Sequence, residues 1–178
     1  MMDLEKLESQ LMELPLYGYF YIDPKELEFS DRIRWICEHE CPMCNKTWAC
    51  PPGVGSVTLC KAKCRSYSSC MMIATIVEVD DITDIEQTLA TRPGHEAITD
   101  QVAELLKAQG VTPYVLSTEA CAICDRCAIL DGEPCRHLDR MHPCVESHGI
   151  NVVPILESRG LEFQFGANVV TWISLLFY

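Results

Sequence analysis

Twelve cysteines in a chain of 178 residues constrain this protein more than any other feature of its sequence. Eight of them fall into two short segments, ICEHECPMCNKTWACPP from residue 36 and CAICDRCAILDGEPC from residue 121. We call the four cysteines of the first segment the first cysteine set: Cys37, Cys41, Cys44 and Cys50. Those of the second segment are the second cysteine set: Cys121, Cys124, Cys127 and Cys135. Thiols this dense can form disulfides or hold a zinc ion, an iron–sulfur cluster or the special cluster of a radical enzyme.

Charge and hydropathy narrow these alternatives. The N-terminal MMDLEK begins a charged amphipathic segment instead of a signal peptide, and the longest apolar stretch, VVTWISLLFY, is shorter than the roughly 18 residues of a membrane span. We therefore expect a soluble cytoplasmic protein with reduced thiols and no membrane contact, in which dense cysteines favour metal over disulfides. The formal net charge of -12 argues against nucleic acid as a partner, because phosphate binding needs clustered Lys and Arg.

The second cysteine set has the spacing of a cubane iron–sulfur site. Its C-x2-C-x2-C triple places three sulfurs on one tight loop, and Cys135 supplies a fourth. Zinc sites tend to use two separated C-x2-C pairs, or a pair plus histidines, so zinc would leave one thiol of the triple redundant. Three histidines follow closely in sequence and keep a Cys3His zinc site open as an alternative: His137, His142 and His148.

The first cysteine set begins with the C-x3-C-x2-C spacing of radical S-adenosylmethionine enzymes. Three features argue against that class: Met43 stands where an aromatic residue is usual, no glycine-rich cofactor strand follows, and 178 residues cannot supply the barrel. Cys50 lies close enough in sequence to close the site with a fourth thiolate. We therefore predict a closed four-thiolate site, beside which Trp48 either shields the metal or packs as a core aromatic.

Four cysteines lie outside the two sets. Cys60 and Cys64 share a helical face and are reserve ligands that could replace Cys37 or Cys41. Cys70 and Cys144 are interpreted as small buried hydrophobic residues.

The rest of the chain predicts helices alternating with strands. Helices are expected over residues 3–13, after an N-cap at Ser56, around 82–91, after Pro93-Gly94 and ending at Gly110, and over 152–158. Strands are expected over 16–22, 70–79, 114–117 and 168–178. Residues 33–36 are expected to be extended. The result is one domain over residues 1–178, α/β or α+β, with a small mixed sheet, flanking helices and two cysteine loops, 37–70 and 121–144, at strand ends. The terminal strand can be central in that sheet or pair across a homodimer.

Together the two segments resemble the predicted metal-binding proteins known as domain of unknown function 2284. The resemblance spans nearly the whole chain and rests on Cys44-Asn-Lys-Thr-Trp-Ala-Cys50-Pro-Pro, on Ala120-Cys121-Ala-Ile-Cys124-Asp-Arg-Cys127, on GEPCRH from residue 132, and on Glu146-Ser-His-Gly-Ile-Asn. Such proteins occur largely in anaerobic bacteria and archaea, and the resemblance implies iron–sulfur binding without an established reaction. This chain departs from the family pattern at Leu138, where proline is frequent, and at Cys144, where a small residue such as serine is usual.

The sequence thus predicts an iron–sulfur protein with two [4Fe-4S] clusters, one per cysteine set, that exchanges single electrons with a partner protein in anaerobic metabolism. No acid/base or nucleophile constellation is present, so no catalytic residue is assigned. Two alternatives stay open. One is a zinc-stabilised structural or interaction module, and the other is an enzyme in which one cluster keeps an open iron for substrate.

Overall fold

The computed structural model describes residues 2–162 and 165–178 and shows an α+β fold. Helices α1 to α5 cover Leu4–Leu11, Asp31–His39, Val57–Arg65, Ile85–Ala108 and Val153–Ser158. Strands β1 to β6 cover Gly18–Ile22, Glu28–Phe29, Cys70–Glu78, Tyr114–Leu116, Ile150–Asn151 and Val169–Phe177. Of the two predicted classes α+β is correct, because every pairing between these strands is antiparallel.

A four-stranded sheet in the order β1-β3-β6-β4 forms the centre of the fold, and β2 and β5 form a separate pair. The C-terminal strand β6 is therefore central: it pairs with β3 along its whole length and with β4 near its end. Alternating side chains of β3 point to opposite faces of the sheet, as the pleat requires. Met71 and Ile73 pack with α1 and α4, whereas Met72 and Ala74 pack on the other side with residues of α5.

Helix α2 corrects the prediction that residues 33–36 are extended. The Ser30 hydroxyl accepts a hydrogen bond from the Arg32 amide and caps a helix that runs to His39. The segment lacks a broad apolar face: its buried residue is Arg34, which donates hydrogen bonds to the carbonyls of Ser147 and Gly55. Cys37 therefore lies within a helix, and of the two cysteine loops only the second follows a strand, β4.

Helix α4 corrects a second prediction, since Pro93-Gly94 does not divide it. Proline removes one intrahelical hydrogen bond, and glycine lowers helix stability by roughly 1 kcal/mol. Contacts on either side of the pair oppose these costs. The Trp172 indole donates to the Thr91 hydroxyl at 2.8 Å, and the buried His95 bonds to two strands. The other predicted helices and strands are confirmed, with ends that shift by a few residues.

A buried polar network connects α4 to three strands. His95 bonds through Nδ1 to the Thr75 hydroxyl on β3 and through Nε2 to the Ser174 hydroxyl on β6, both at 2.8 Å. Ser174 contacts Ser117, just beyond β4, whose hydroxyl donates to Glu96. These bonds fix the end of β4, from which the second cysteine loop departs. None of the helices in the described part of the chain is both long and apolar enough to cross a membrane.

We expect the free energy of unfolding to fall in acid because of His95. Burial, assisted by the Arg92 charge, lowers the pKa of His95 to about 4, below the ordinary value of 6.5. Between these pH values the unfolded chain binds a proton that the folded chain excludes. Stability is therefore full above pH 6.5 and decreases by up to about 3 kcal/mol as the pH falls to 4.

Urea unfolding of the metal-free protein across this pH range measures the effect. The free energy of unfolding of His95→Gln should decrease less steeply with falling pH than that of the parent protein. His148, whose pKa burial also lowers to about 4, supplies a residual slope. The control His39→Gln changes an exposed residue and should match the parent; equal slopes in all three proteins would contradict the assignment.

Candidate metal centre

The first cysteine set begins in α2 and continues on the loop that follows it. Cys37 is in the helix, and just past the end of the helix the Cys41 amide donates to the Ile36 carbonyl. Asn45 has a left-handed backbone (φ 60°), and its amide donates to the Pro51 carbonyl at 2.8 Å. This bond brings the two ends of the 45–51 segment together. The Cys44 thiol, next to one of those ends, donates to the same Pro51 carbonyl at 3.7 Å, so Cys44 lies close to the residue that follows Cys50.

The thiols of the first set lie within electrostatic reach of one another. Burial, the Glu146 carboxylate and the Cys41 and Cys50 thiolates together raise the pKa of Cys37 to about 12. Burial also raises the pKa of Cys50, and Cys41 and Cys44 add to that rise. Negative charge on a neighbouring sulfur thus disfavours the ionisation of Cys37 and Cys50, and a positively charged metal ion at this place would reverse the effect.

The second cysteine set lines a single small cavity of about 20 Å³. All four sulfur-bearing residues, Cys121, Cys124, Cys127 and Cys135, contribute to its wall. The His137 amide donates to the Cys135 sulfur at 3.4 Å. Burial raises the pKa of Cys121, while a hydrogen bond from the Ile123 amide partly opposes that rise. Backbone donors therefore already point at two of the four sulfurs.

Trp48 connects the two sets. It belongs to the first loop, between Cys44 and Cys50, yet its side chain lines the cavity of the second set. Its indole N–H donates to the Glu133 carbonyl of the second loop at 3.0 Å. From the sequence, Trp48 was predicted either to shield the metal of its own loop or to pack in the core. In the structure it lies against the cavity of the second cysteine set. Sequence spacing carries no signal for such a contact, because it joins residues 85 positions apart.

A second contact brings the loops together at the backbone. The Cys144 amide donates to the Ala49 carbonyl at 3.2 Å, so the end of the second loop lies against the residue before Cys50. Met43 and Cys121, one from each loop, also line a common groove. The two cysteine loops are therefore adjacent, and Trp48 and Ala49 of the first loop contact the second.

The thiols are near one another without forming a ready ion site. Across residues 2–162 and 165–178, no group of three or more His, Cys, Asp or Glu side chains is arranged to hold a metal ion. Such sites are rarely complete before metal binds, because thiolates without a metal repel one another. The ligand assignment of both sets stays a prediction.

The four remaining cysteines are buried, which agrees with the interpretation of Cys70 and Cys144 as small buried hydrophobic residues. Cys60, a reserve ligand, donates its thiol to the Val54 carbonyl at 3.3 Å, and Cys64 lies beside it in the core. Cys144 has a polar contact that the sequence did not suggest. Its thiol donates to the Glu146 carboxylate at 2.8 Å, and the nearby Cys50 contributes to the rise in its pKa, which burial dominates.

Arg34 fixes the helix that carries Cys37. This buried guanidinium donates to the carbonyls of Ser147 and Gly55 and pairs with Glu38 at 2.8 Å. It therefore joins α2 to the turn at residues 146–148 and to the loop before α3. No motif in the sequence identifies this role, since a charged residue on a polar helix is ordinarily exposed.

Comparison with protein families matches the description "Predicted metal-binding protein (DUF2284)" to residues 21–178. The match begins in β1 and includes both cysteine sets. Searches among curated proteins and among solved structures found no match.

Replacing Arg34 by glutamine should loosen the first site by freeing α2. The two carbonyls lose their charged donor, which predicts a loss of about 2–4 kcal/mol in the free energy of unfolding. Urea unfolding of the metal-free protein measures it. Arg32→Gln, on the exposed side of the same helix, is the control and should change stability by less than about 0.5 kcal/mol. Equal stability of the two variants would contradict the role of Arg34.

Replacing Trp48 by alanine should open the second cavity. We expect a several-fold faster reaction of the second-set thiols with a thiol reagent in the metal-free protein, mapped by mass spectrometry. Trp35→Ala removes an exposed tryptophan that stacks on His39, so it should leave those rates unchanged. If Trp48→Ala also leaves them unchanged, the indole does not shield the cavity.

Proposed function

This chain belongs to the DUF2284 family of predicted metal-binding proteins, and we propose that it holds two [4Fe-4S] clusters and exchanges single electrons with a partner protein. One observation carries the proposal: four thiols in C-x2-C-x2-C…C spacing line the wall of one cavity. Four thiolates are what a cubane cluster requires. The first cysteine set supplies four more thiols that are close to one another.

The spacing of the second set favours a cluster over a zinc ion. Zinc sites tend to use two separated C-x2-C pairs, or a pair plus histidines, so zinc would leave one thiol of the C-x2-C-x2-C triple redundant. A cubane cluster uses all four thiols, which line one cavity. A structural zinc module is the alternative that metal analysis must exclude.

Donors to the sulfurs support thiolates at both sites. The His137 amide donates to Cys135, and the Asn45 side-chain amide donates to the Cys44 sulfur at 3.5 Å. Hydrogen bonds to cysteine sulfurs stabilise negative charge and help set the reduction potential of iron–sulfur proteins. When bound, a [4Fe-4S] cluster supplies reversible one-electron chemistry at a potential that these surroundings tune.

The proposed electron-transfer role also draws on how close the two sites are. Trp48 lines the second cavity and at the same time belongs to the first loop. An electron that enters at one cysteine set can therefore pass to the other set through adjoining loops. Four neighbouring thiols in each set favour closed clusters over an open iron that binds substrate, and electron transfer requires no catalytic side chain.

Metal analysis of protein purified without oxygen tests the proposal. We expect about eight iron and eight sulfide per chain, with little zinc. Cys50→Ser and Cys135→Ser should each remove about half of both, because each variant disables one site. Cys70→Ala changes a buried cysteine outside the two sets and should retain the full content.

Stoichiometric zinc without sulfide would overturn the iron–sulfur assignment in favour of the structural module. Full iron content in both serine variants would instead contradict the two ligand sets.

A further inference from the structure

One buried hydroxyl in the first loop lacks a hydrogen bond. Thr47 is 4% exposed, and its Oγ1 is the one buried side-chain nitrogen or oxygen, among the residues that the structure describes, for which no partner is found. Buried polar atoms are nearly always hydrogen-bonded, so an exception indicates a missing ion, water or ligand.

The position of Thr47 identifies what its hydroxyl faces. The Cys50 amide donates to the Thr47 carbonyl at 3.2 Å, which forms a tight turn from residue 47 to residue 50. Within that turn the Thr47 hydroxyl lies beside the Cys50 thiol without the geometry of a hydrogen bond, and it lowers the pKa of that thiol against the larger rise that burial causes. A neutral thiol is a weak acceptor, whereas a thiolate is a strong one. The hydroxyl thus gains a good acceptor when Cys50 binds metal as a thiolate.

We propose that Thr47 is a positioning residue of the first metal site, whose hydroxyl donates a hydrogen bond to the metal-bound sulfur of Cys50. This inference rests on the proposed metal binding and adds a residue outside the eight cysteines. The hydrogen bond holds the sulfur in place, which favours retention of the metal, and it withdraws electron density from the sulfur, which favours the more negative, reduced state. Thr47 therefore raises the reduction potential of the first site.

The two sites differ in the source of their donors. Cys121 and Cys135 of the second set receive backbone amides, which no substitution at the donor residue removes short of proline. Cys44 and Cys50 of the first set face the side chains of Asn45 and Thr47. The first site can therefore be altered by side-chain substitution while the second site serves as an internal control.

Thr47→Val and Thr47→Ser provide a matched pair. Valine keeps the shape and removes the hydroxyl, whereas serine keeps the hydroxyl. In anaerobically loaded full-length protein, Thr47→Val should weaken metal retention at the first site against a chelator by about 10- to 100-fold, and Thr47→Ser should resemble the parent. A redox titration should show one midpoint potential lowered in Thr47→Val and the other unchanged, with the midpoints assigned by Cys135→Ser.

Unfolding of the metal-free variants separates this role from general damage. Because the hydroxyl has no partner without metal, Thr47→Val should be at least as stable as the parent in that state. Unchanged retention and potential in Thr47→Val would overturn the proposal, as would equal losses in both variants.

If the parent binds zinc in place of iron and sulfide, the proposed electron transfer fails, and zinc retention by the same pair still decides the role of Thr47. Weaker retention in the valine variant alone supports it, and equal retention overturns it.

Discussion

The indole of Trp48 is the contact on which the arrangement of both cysteine loops depends. It leaves the first loop, lines the cavity of the second set and donates to the Glu133 carbonyl. The two loops constrain each other, because Trp48 of the first loop forms part of the cavity wall of the second set. Metal bound at one set would therefore contribute to the order of the other, since metal binding and folding share one free energy.

The scaffold holds this pair of loops from two directions. On one side, the network of His95 and Ser174 fixes the end of β4, where the second loop begins. On the other, Arg34 fixes α2, where the first loop begins. Both sets of contacts are buried and polar. Both depend on hydrogen bonds that a hydrophobic residue at the same position could not form. The sheet thus provides stability, while these polar contacts determine where the thiols lie.

Most of the secondary structure and the family could be predicted from the sequence. Period-two and period-3.6 patterns indicated the strands and most helices, because those elements bury one apolar face. The cysteine spacing and the residues around it indicated the family, which the match over residues 21–178 confirms.

The errors occurred where tertiary hydrogen bonds outweigh local preference. Helix α2 has a buried arginine in place of an apolar face, and α4 continues through Pro93 because contacts on both sides hold it. The position of Trp48 and the unpaired hydroxyl of Thr47 were also beyond prediction, since both depend on how the loops pack in three dimensions. Spacing specifies which residues can bind a metal, but it does not specify which residues support those ligands.

Low-temperature electron paramagnetic resonance of the reduced, anaerobically loaded protein tests the central claim most directly. Two clusters held by loops that touch at Trp48 and Ala49 should interact magnetically, so we predict a spectrum broadened by spin–spin coupling. That broadening should disappear when Cys135→Ser removes the second site. A protein without a cluster signal, or a parent spectrum that is the simple sum of two isolated clusters, would contradict the account.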